Sequence, residues 1–297
     1  MLFPRQKRTE NLRTMSSSAL GEDMTCLRRI LDFRCARLAL FLLALLYAFA
    51  AGLRTLGDFD LGWQLATGRW IVQHGRIPFT DVFSYTAFGT GWIYPVLSQV
   101  LLYLSYVTGG YGLLSWLGAA ACVGTIALLL RCSSTAAVIL AMASVPLIAA
   151  CTPPRTEMFT AVIFAAYVNL LWHYHQSGKG SLWLLPVLMC LWVNLHLGFI
   201  AGLAMCGAYV LIELEDAIAP SRRLGALLRL KRAVPWLIAT LAVTIVNPWG
   251  WRIYAAIARQ RSIVQTHSLW IWEWQGLRVT PAALDKALAW RDPDSAV

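Results

Sequence analysis

Charged residues are scarce in this chain. Asp, Glu, Lys and Arg make up 13% of the 297 residues, whereas hydrophobic residues make up 58%. Charged residues form about a quarter of an ordinary soluble domain, so the composition excludes that class. We therefore interpret the chain as an all-α membrane protein, a polytopic bundle of transmembrane helices.

Closely spaced cysteine pairs are also missing. The seven cysteines show no CxxC spacing and lie mostly inside apolar runs, where a thiol behaves as a small hydrophobic group. A zinc site built on CxxC pairs and a disulfide framework are therefore not expected.

Acidic residues are fewer than basic ones: 15 acids and 25 bases give a formal net charge of +10. The bases do not form one continuous face, as a nucleic-acid-binding surface would require. Eight of them precede the first apolar run, and five more lie between Arg222 and Arg232. This placement beside apolar runs follows the positive-inside rule. It predicts a cytoplasmic N-terminus, contact with membrane lipid and no nucleic-acid partner.

Long apolar runs divide the chain into three parts. These are a basic cytoplasmic segment at residues 1–36, a helical domain with seven or eight predicted spans at residues 37–254, and an interfacial and polar tail at residues 255–297. In the topology that returns the basic loop 216–232 to the cytoplasm, residues 58–92 form the first outer loop. The weaker run 93–108 is then re-entrant or lies in the interface.

The outer loop contains the most unusual stretch, DFDLGWQLATGRWIVQHGRIPFTDVFSYT at residues 58–86. Trp63, Ala66 and Trp70 recur at helical spacing, which predicts a short amphipathic helix that lies along the membrane with its indoles at headgroup level. Gly75 can adopt a left-handed conformation, and Pro78 disfavours helix in the residue before it. The helix should therefore end near Gly75.

Asp58 and Asp60 stand where the first span meets this helix. A carboxylate at the edge of hydrocarbon is partly desolvated, which favours its protonated form, so both are candidate general bases. The alternative is structural, because Asp58 could cap the helix and two acids in a solvated loop need no further role.

The stretch resembles the first large outer loop of bacterial polytopic proteins related to the GT-C glycosyltransferases. In that family an acidic motif precedes a Trp-rich amphipathic helix and then an hGRIPhTDhFSYT segment. Further similar motifs are PPRTEMFT at residues 153–160, LWVNLHLGF at residues 191–199 and VNPWGWRIY at residues 246–254. These motifs follow the family's order along the chain.

The resemblance implies a multi-pass glycosyltransferase of the bacterial inner membrane. It would transfer a hexose or pentose from a polyprenyl-phosphate-linked sugar to an acceptor at the extracytoplasmic face. Asp58 and Asp60 match the acidic motif that supplies the catalytic base, and Arg76 or Arg155 would stabilise the departing phosphate. The residues that the motifs assign to substrate binding are Trp63, Arg76, Asp81, Arg155, Asn194, His196, Asn247 and Trp249.

Structural roles compete with several of these assignments. Arg155 could simply pair with Glu157. For His196 we favour a hydrogen-bonded pair with Asn194 that locks two short helices at their turn. His74 is expected to cap or pack against the GRIP turn.

The chain departs from the family pattern in two places. Gly62, Trp63 and Gln64 stand where relatives carry a Trp-Trp-His run, so a titratable ring is missing. The chain also reaches Val297 shortly after the aromatic tail SLWIWEWQ. We therefore expect a compact, truncated or inactive member of the family.

The alternative function is a non-catalytic membrane component of cell-envelope assembly, such as a partner subunit or a small transporter. The two-residue spacing of His173 and His175 does not by itself predict a metal site, and a divalent metal cofactor is left open. No residue pattern determines the sugar, the acceptor or the oligomeric state.

Overall fold

The computed structural model describes residues 35–36, 38–53, 59–130 and 135–259. Within these ranges all regular structure is helical, apart from one isolated bridge between Thr80 and Gly91. The helices are α1 (Leu38–Gly52), α2 (Phe59–His74), α3 (Val96–Leu130), α4 (Thr135–Ala150), α5 (Glu157–Ser177), α6 (Leu184–Leu195), α7 (Phe199–Ile218) and α8 (Pro220–Ala242). The predicted all-α class is confirmed.

Helix α2 forms where the sequence predicted it and ends as expected. Gly75 follows it with a φ of 62°, a conformation that favours glycine. The face that α2 buries carries Leu61, Gln64 and Thr67, whereas Trp63 is only half-buried. The indole stripe is therefore only partly covered, with the Trp63 ring against those of Trp92 and Tyr94.

Helix α3 is kinked at Gly110, which has a φ of 60° and a ψ of −157°. Only glycine adopts these angles without strain. The kink separates the weaker run 93–108 from the predicted span that begins at residue 111, so these two sequence segments become the two halves of one kinked helix.

Few of the described helices are both long enough and apolar enough to cross a membrane. Within the described ranges, α3 is the helix long and apolar enough to cross a membrane, and a second is counted only if two consecutive helices are taken as one broken span. Helix α6, with 12 residues, rises about 18 Å, less than the hydrocarbon core of about 30 Å. The multi-pass arrangement therefore stays a prediction.

Two hydrophobic clusters join five of the helices in the described part of the chain. One joins α1, α3 and α4 through small and branched side chains that include Ala48, Cys122 and Val145. The other consists of Leu61, Leu102, Leu114 and Met158, and it joins α2, α3 and α5. The second cluster fixes the first turn of α2 beside the beginning of α5, where the candidate site lies.

The basic segment 216–232 is largely helical, and the prediction of a loop there was wrong. Helix α8 begins at Pro220, whose fixed φ suits the first turn. Ala226 and Ala233 are both buried, seven residues apart on one face. Periodic burial outweighs the high local charge, because the arginines on the other faces reach solvent or acids.

The chain divides into two compact units, Met1–Asn247 and Pro248–Val297. All of the helices α1 to α8 belong to the first unit. In the described part of the second unit, a 3-10 turn spans Gly250–Arg252, and Trp249 is buried.

Candidate functional site

Asp60 and Arg155 meet beside the first turn of α2. The Arg155 Nη1 atom lies 3.2 Å from Asp60 Oδ2, and the Trp63 indole N–H donates to Asp60 Oδ1 at 3.2 Å. The Asp60 side chain is 55% exposed and that of Arg155 only 14%. The predicted base and the predicted phosphate-binding cation are thus neighbours. Asp58, the other predicted base, lies outside the described residues.

A second carboxylate shares the same guanidinium. The Nε atom of Arg155 lies 3.1 Å from Glu157 Oε2, so the predicted pairing of these two residues is confirmed. Two carboxylates around one guanidinium leave an excess of one negative charge. The more exposed of the two carboxylates is that of Asp60, which remains open to solvent and to a substrate.

His196 reaches the same place from the turn after α6. Its Nδ1 accepts a hydrogen bond from the Gly198 N–H at 3.1 Å and lies 2.8 Å from Thr160 Oγ1. Thr160 Oγ1 in turn accepts from the Trp192 indole N–H at 2.8 Å. We assign the ring proton to Nε2, because Nδ1 already faces a backbone donor. That nitrogen lies 3.9 Å from Glu157 Oε1.

The neutral form of His196 is favoured over the charged one. Burial, together with the nearby charge of Arg155, lowers the pKa of His196 to about 4. At neutral pH the ring therefore adds no charge and presents an N–H toward Glu157. The hydrogen bonds of His196 go to Thr160 and Gly198, so the expected pair with Asn194 is replaced by a link between the α6–α7 turn and α5.

These five residues, Asp60, Arg155, Glu157, Thr160 and His196, are called the polar junction below. It lies where three helices begin: Asp60 is in the first turn of α2, Glu157 is the first residue of α5, and Gly198 precedes α7. Helix N-termini carry partial positive charge and free N–H groups. The junction therefore combines titratable side chains with dipoles that favour a bound anion.

Gln64 bonds to the backbone between Arg155 and Glu157, and the sequence did not predict it as a functional residue. Its Oε1 accepts from the Thr156 backbone N–H at 3.3 Å, and its side chain is buried. This is the position where the resembling family carries histidine. The amide oxygen of Gln64 can accept a hydrogen bond, as a histidine ring nitrogen can. Unlike histidine, glutamine cannot take up a proton and become charged.

Arg76 and Asp81 are placed in the segment after α2 and do not join the polar junction. Arg76 lies 5.6 Å from the ring centre of Trp70, a cation–π distance. The Asp81 carboxylate is buried and accepts from the backbone N–H groups of Phe83 and Ser84 and from the Ser84 hydroxyl. It therefore holds the loop.

The pKa of Asp81 shows which effect dominates in this loop. Burial raises it, but the hydrogen bonds from Ser84 and Phe83 act in the opposite direction and prevail, so the pKa lies below its ordinary value. The His74 ring stacks on Trp70 with centres 4.4 Å apart, so it packs along its own helix, whereas the sequence predicted that it would cap or pack against the GRIP turn.

Asn194 and Asn247 lie at a second contact, between the end of α6 and the turn after α8. The Asn194 side-chain amide donates to Val246 O at 2.8 Å, and that of Asn247 donates to Thr244 O at 2.8 Å. Both amides satisfy backbone carbonyls there. Trp249 belongs to the other compact unit.

Metal-binding side chains converge at the far end of α5. In the described part of the chain, one group of three or more such side chains lies close enough to share an ion: His175, Glu213 and Asp216, with ligand atoms within 4.8 Å of one another. His175 is 18 residues after Glu157, about 27 Å along the helix. Arg229 already pairs with Glu213 at 2.8 Å and with Asp216 at 3.2 Å. This group therefore lies too far from Asp60 to hold a cation beside it, and its two carboxylates are already paired with Arg229.

The resemblance to the GT-C glycosyltransferases rests on the motifs quoted above. Three of those motifs supply residues of the polar junction, namely Asp60, the PPRTEMFT residues, and His196. Comparisons of the chain with protein-family models, curated proteins and solved structures find no match.

Proposed function

We propose that this protein is an integral membrane glycosyltransferase of the bacterial inner membrane. It transfers a sugar from a polyprenyl-phosphate donor to an acceptor at the extracytoplasmic face, within a GT-C-like polytopic helical bundle. One observation carries the proposal: the exposed Asp60 carboxylate shares Arg155 with Glu157 at a meeting point of helix N-termini. A base and an anion-binding cation thus lie within one hydrogen-bond distance.

The outward-facing surface supports a membrane setting. Large apolar side chains are exposed on several helices, among them Leu46, Leu140, Leu147, Leu211 and Ile238, each more than 60% exposed. Soluble monomers rarely expose contiguous apolar patches larger than a few hundred Å². A bilayer covers such side chains without a hydration penalty.

The reaction needs a proton acceptor and a stabilised leaving group. The acceptor hydroxyl attacks the anomeric carbon and forms the new C–O bond. The bond from that carbon to the phosphate oxygen breaks, and its electron pair leaves with the polyprenyl phosphate. The hydroxyl proton goes to Asp60, the most exposed carboxylate of the junction. Asp58, two residues earlier in the acidic motif, is the second candidate for this role.

Arg155 is the cation that meets the leaving phosphate in this proposal. The donor phosphate, a singly charged diester, competes with Asp60 for the guanidinium, and this contact strengthens as the bond to the anomeric carbon breaks and the phosphate gains its second charge. Asp60, released in this exchange, accepts the hydroxyl proton. The N-termini of α5 and α7 add favourable dipoles.

The test uses membranes that contain the wild type or a variant, supplied with radiolabelled polyprenyl-phosphate sugars. Asp60→Asn removes the base and should reduce label transfer roughly 100-fold to 10,000-fold, without changing membrane insertion. Asp58→Asn is measured beside it, and Glu215→Gln serves as a matched control, since Glu215 is an exposed acid of α7. Equal incorporation by wild type and both aspartate variants contradicts the proposal.

A second candidate function is a non-catalytic partner subunit of cell-envelope assembly. The contacts within the polar junction favour it. Asp60, Arg155 and His196 all bond to other protein groups, as residues with a purely structural role would. Under this candidate, neutral replacement of both aspartates leaves function intact, and label transfer follows an associated protein instead. The same transfer assay with purified protein separates the two candidates.

A further inference from the structure

An open groove of about 400 Å³ lies between α2 and α3, away from the polar junction. Helix α2 contributes Arg69, Trp70 and Gln73 to its lining, and α3 contributes Tyr103, Tyr106 and Tyr111. Asp60 lies on the opposite side of α2, because a rotation of about 100° per residue places residues 60 and 62 on opposite faces. The groove is thus a separate surface that begins at Gly62, beside the first turn of α2 that carries Asp60.

Two glycines shape this groove. A Cβ on Gly68 would lie 2.1 Å from the Gln99 carbonyl oxygen and 2.6 Å from the Cβ of Tyr103, a residue of the groove's lining, so glycine is required for the close contact of α2 and α3 beside the groove. The kink at Gly110 brings Tyr111 against Tyr106, with ring centres 5.0 Å apart in an edge-to-face arrangement. The aromatic wall therefore follows from the backbone geometry.

The lining is aromatic and positively charged. Arg69 is exposed and forms no ion pair with any described residue, and none of the residues that line the groove is acidic. Tyrosine rings offer flat apolar faces together with hydroxyl groups at their edges, whereas the Trp70 ring is already stacked on His74. A ligand that matches has flat apolar faces, many hydroxyls and a negative charge, which describes an acidic saccharide.

The groove is long enough for several linked sugar rings, not only for one. It follows α2 from Gly62 to Gln73, about 16 Å along the axis. Its Gly62 end is two residues from Asp60, across the start of the helix. We propose that the groove binds an extended acidic saccharide, the acceptor chain, and leads its end over the N-terminus of α2 toward Asp60. The choice of acceptor rests on the proposed function.

The experiment measures binding to the purified full-length protein in detergent by equilibrium dialysis. The probes are trigalacturonic acid and its neutral counterpart maltotriose, at equal concentrations. Trigalacturonic acid should bind more tightly, and Arg69→Gln should weaken it roughly tenfold, as expected for a hydrogen bond to a charged group. Tyr111→Leu, at a 56% exposed position, should weaken both probes. Arg223→Gln, an exposed arginine of α8, is the matched control and should change neither.

Several results overturn the proposal. These are equal binding of the two trisaccharides, no effect of Arg69→Gln, or full competition by inorganic phosphate alone or by undecyl phosphate, which would make the groove an anion or lipid site. Binding and transfer are separate readouts. Transfer activity without saccharide binding contradicts the proposed binding groove but not the proposed glycosyltransferase function. Saccharide binding without transfer by the wild type contradicts the glycosyltransferase function but not the groove.

Discussion

The guanidinium of Arg155 lies 3.2 Å from the carboxylate of Asp60, although 95 residues separate them in the chain. The contact is possible because α2 and α5 both pack on α3, where Leu61 and Met158 share one hydrophobic cluster with Leu102 and Leu114. This cluster fixes the two backbones, and the ion pair forms between side chains that it has already brought close. We therefore expect Asp60 to be replaceable without loss of the fold.

The first prediction concerns that ion pair. Because the Asp60 side chain is 55% exposed, its coupling to Arg155 in a double-mutant cycle of Asp60→Asn and Arg155→Gln should be below about 1 kcal/mol. Thermal unfolding in detergent provides the measurement. A coupling of several kcal/mol would mean that the pair is mainly a structural clasp, and loss of transfer in Asp60→Asn could then reflect misfolding.

The second prediction tests the packing around His196. A Cβ added at Gly198 would lie 2.6 Å from Thr160 Oγ1 and 2.8 Å from His196 Nδ1. Gly198→Ala should therefore displace the ring and destabilise the protein by about 1–3 kcal/mol. Gly207→Ala is the control, because nothing lies within 4 Å of a Cβ there and alanine favours the helix interior. Equal melting temperatures for the two variants would contradict the described junction.

The third prediction is a pH dependence. His196 has a pKa of about 4 in the folded protein, against an ordinary value of 6.5. Between these values the unfolded state binds more protons, so stability is full above the unfolded pKa and falls as pH drops toward the folded one. The loss between about pH 7 and about pH 5 should be on the order of 2 kcal/mol.

Replacement of the ring identifies the source of this loss. His196→Gln should flatten the stability profile in that window, as measured by thermal unfolding across pH. Arg155 and Glu157 face the ring, so Glu157→Gln is measured as a control. A slope that persists in His196→Gln but vanishes in Glu157→Gln would reassign the effect to Glu157.

The fourth prediction concerns the charged cluster at the other end of α5. The Glu213 side chain is fully buried and bonds to Arg229 and His175. Glu213→Gln leaves a partly buried guanidinium without its main counter-charge and should destabilise the protein by about 3 kcal/mol or more. Glu215→Gln, two residues on and exposed, should change stability by less than about 0.5 kcal/mol. Similar effects from both would show that Glu213 is not a buried partner.

Local patterns predicted much of the secondary structure. The spacing of apolar residues located α2, and Gly75 ended it, because a left-handed glycine is a local property of the backbone. The pairing of Arg155 with Glu157 was likewise visible at short range. The basic segment was misread, since charge density suggested a loop, while two buried alanines seven residues apart made it the first half of α8.

Composition and local motif order by themselves determined that this chain is helical and apolar and that unusual polar residues gather in a few short motifs. Only the tertiary structure decided which of those residues meet. Asp60, Arg155 and His196 come together because α2 and α5 both pack on α3 and α6 packs on α5, whereas Asp81 folds back on its own loop. Long-range contacts depend on how helix faces fit, and no spacing along the chain encodes that fit.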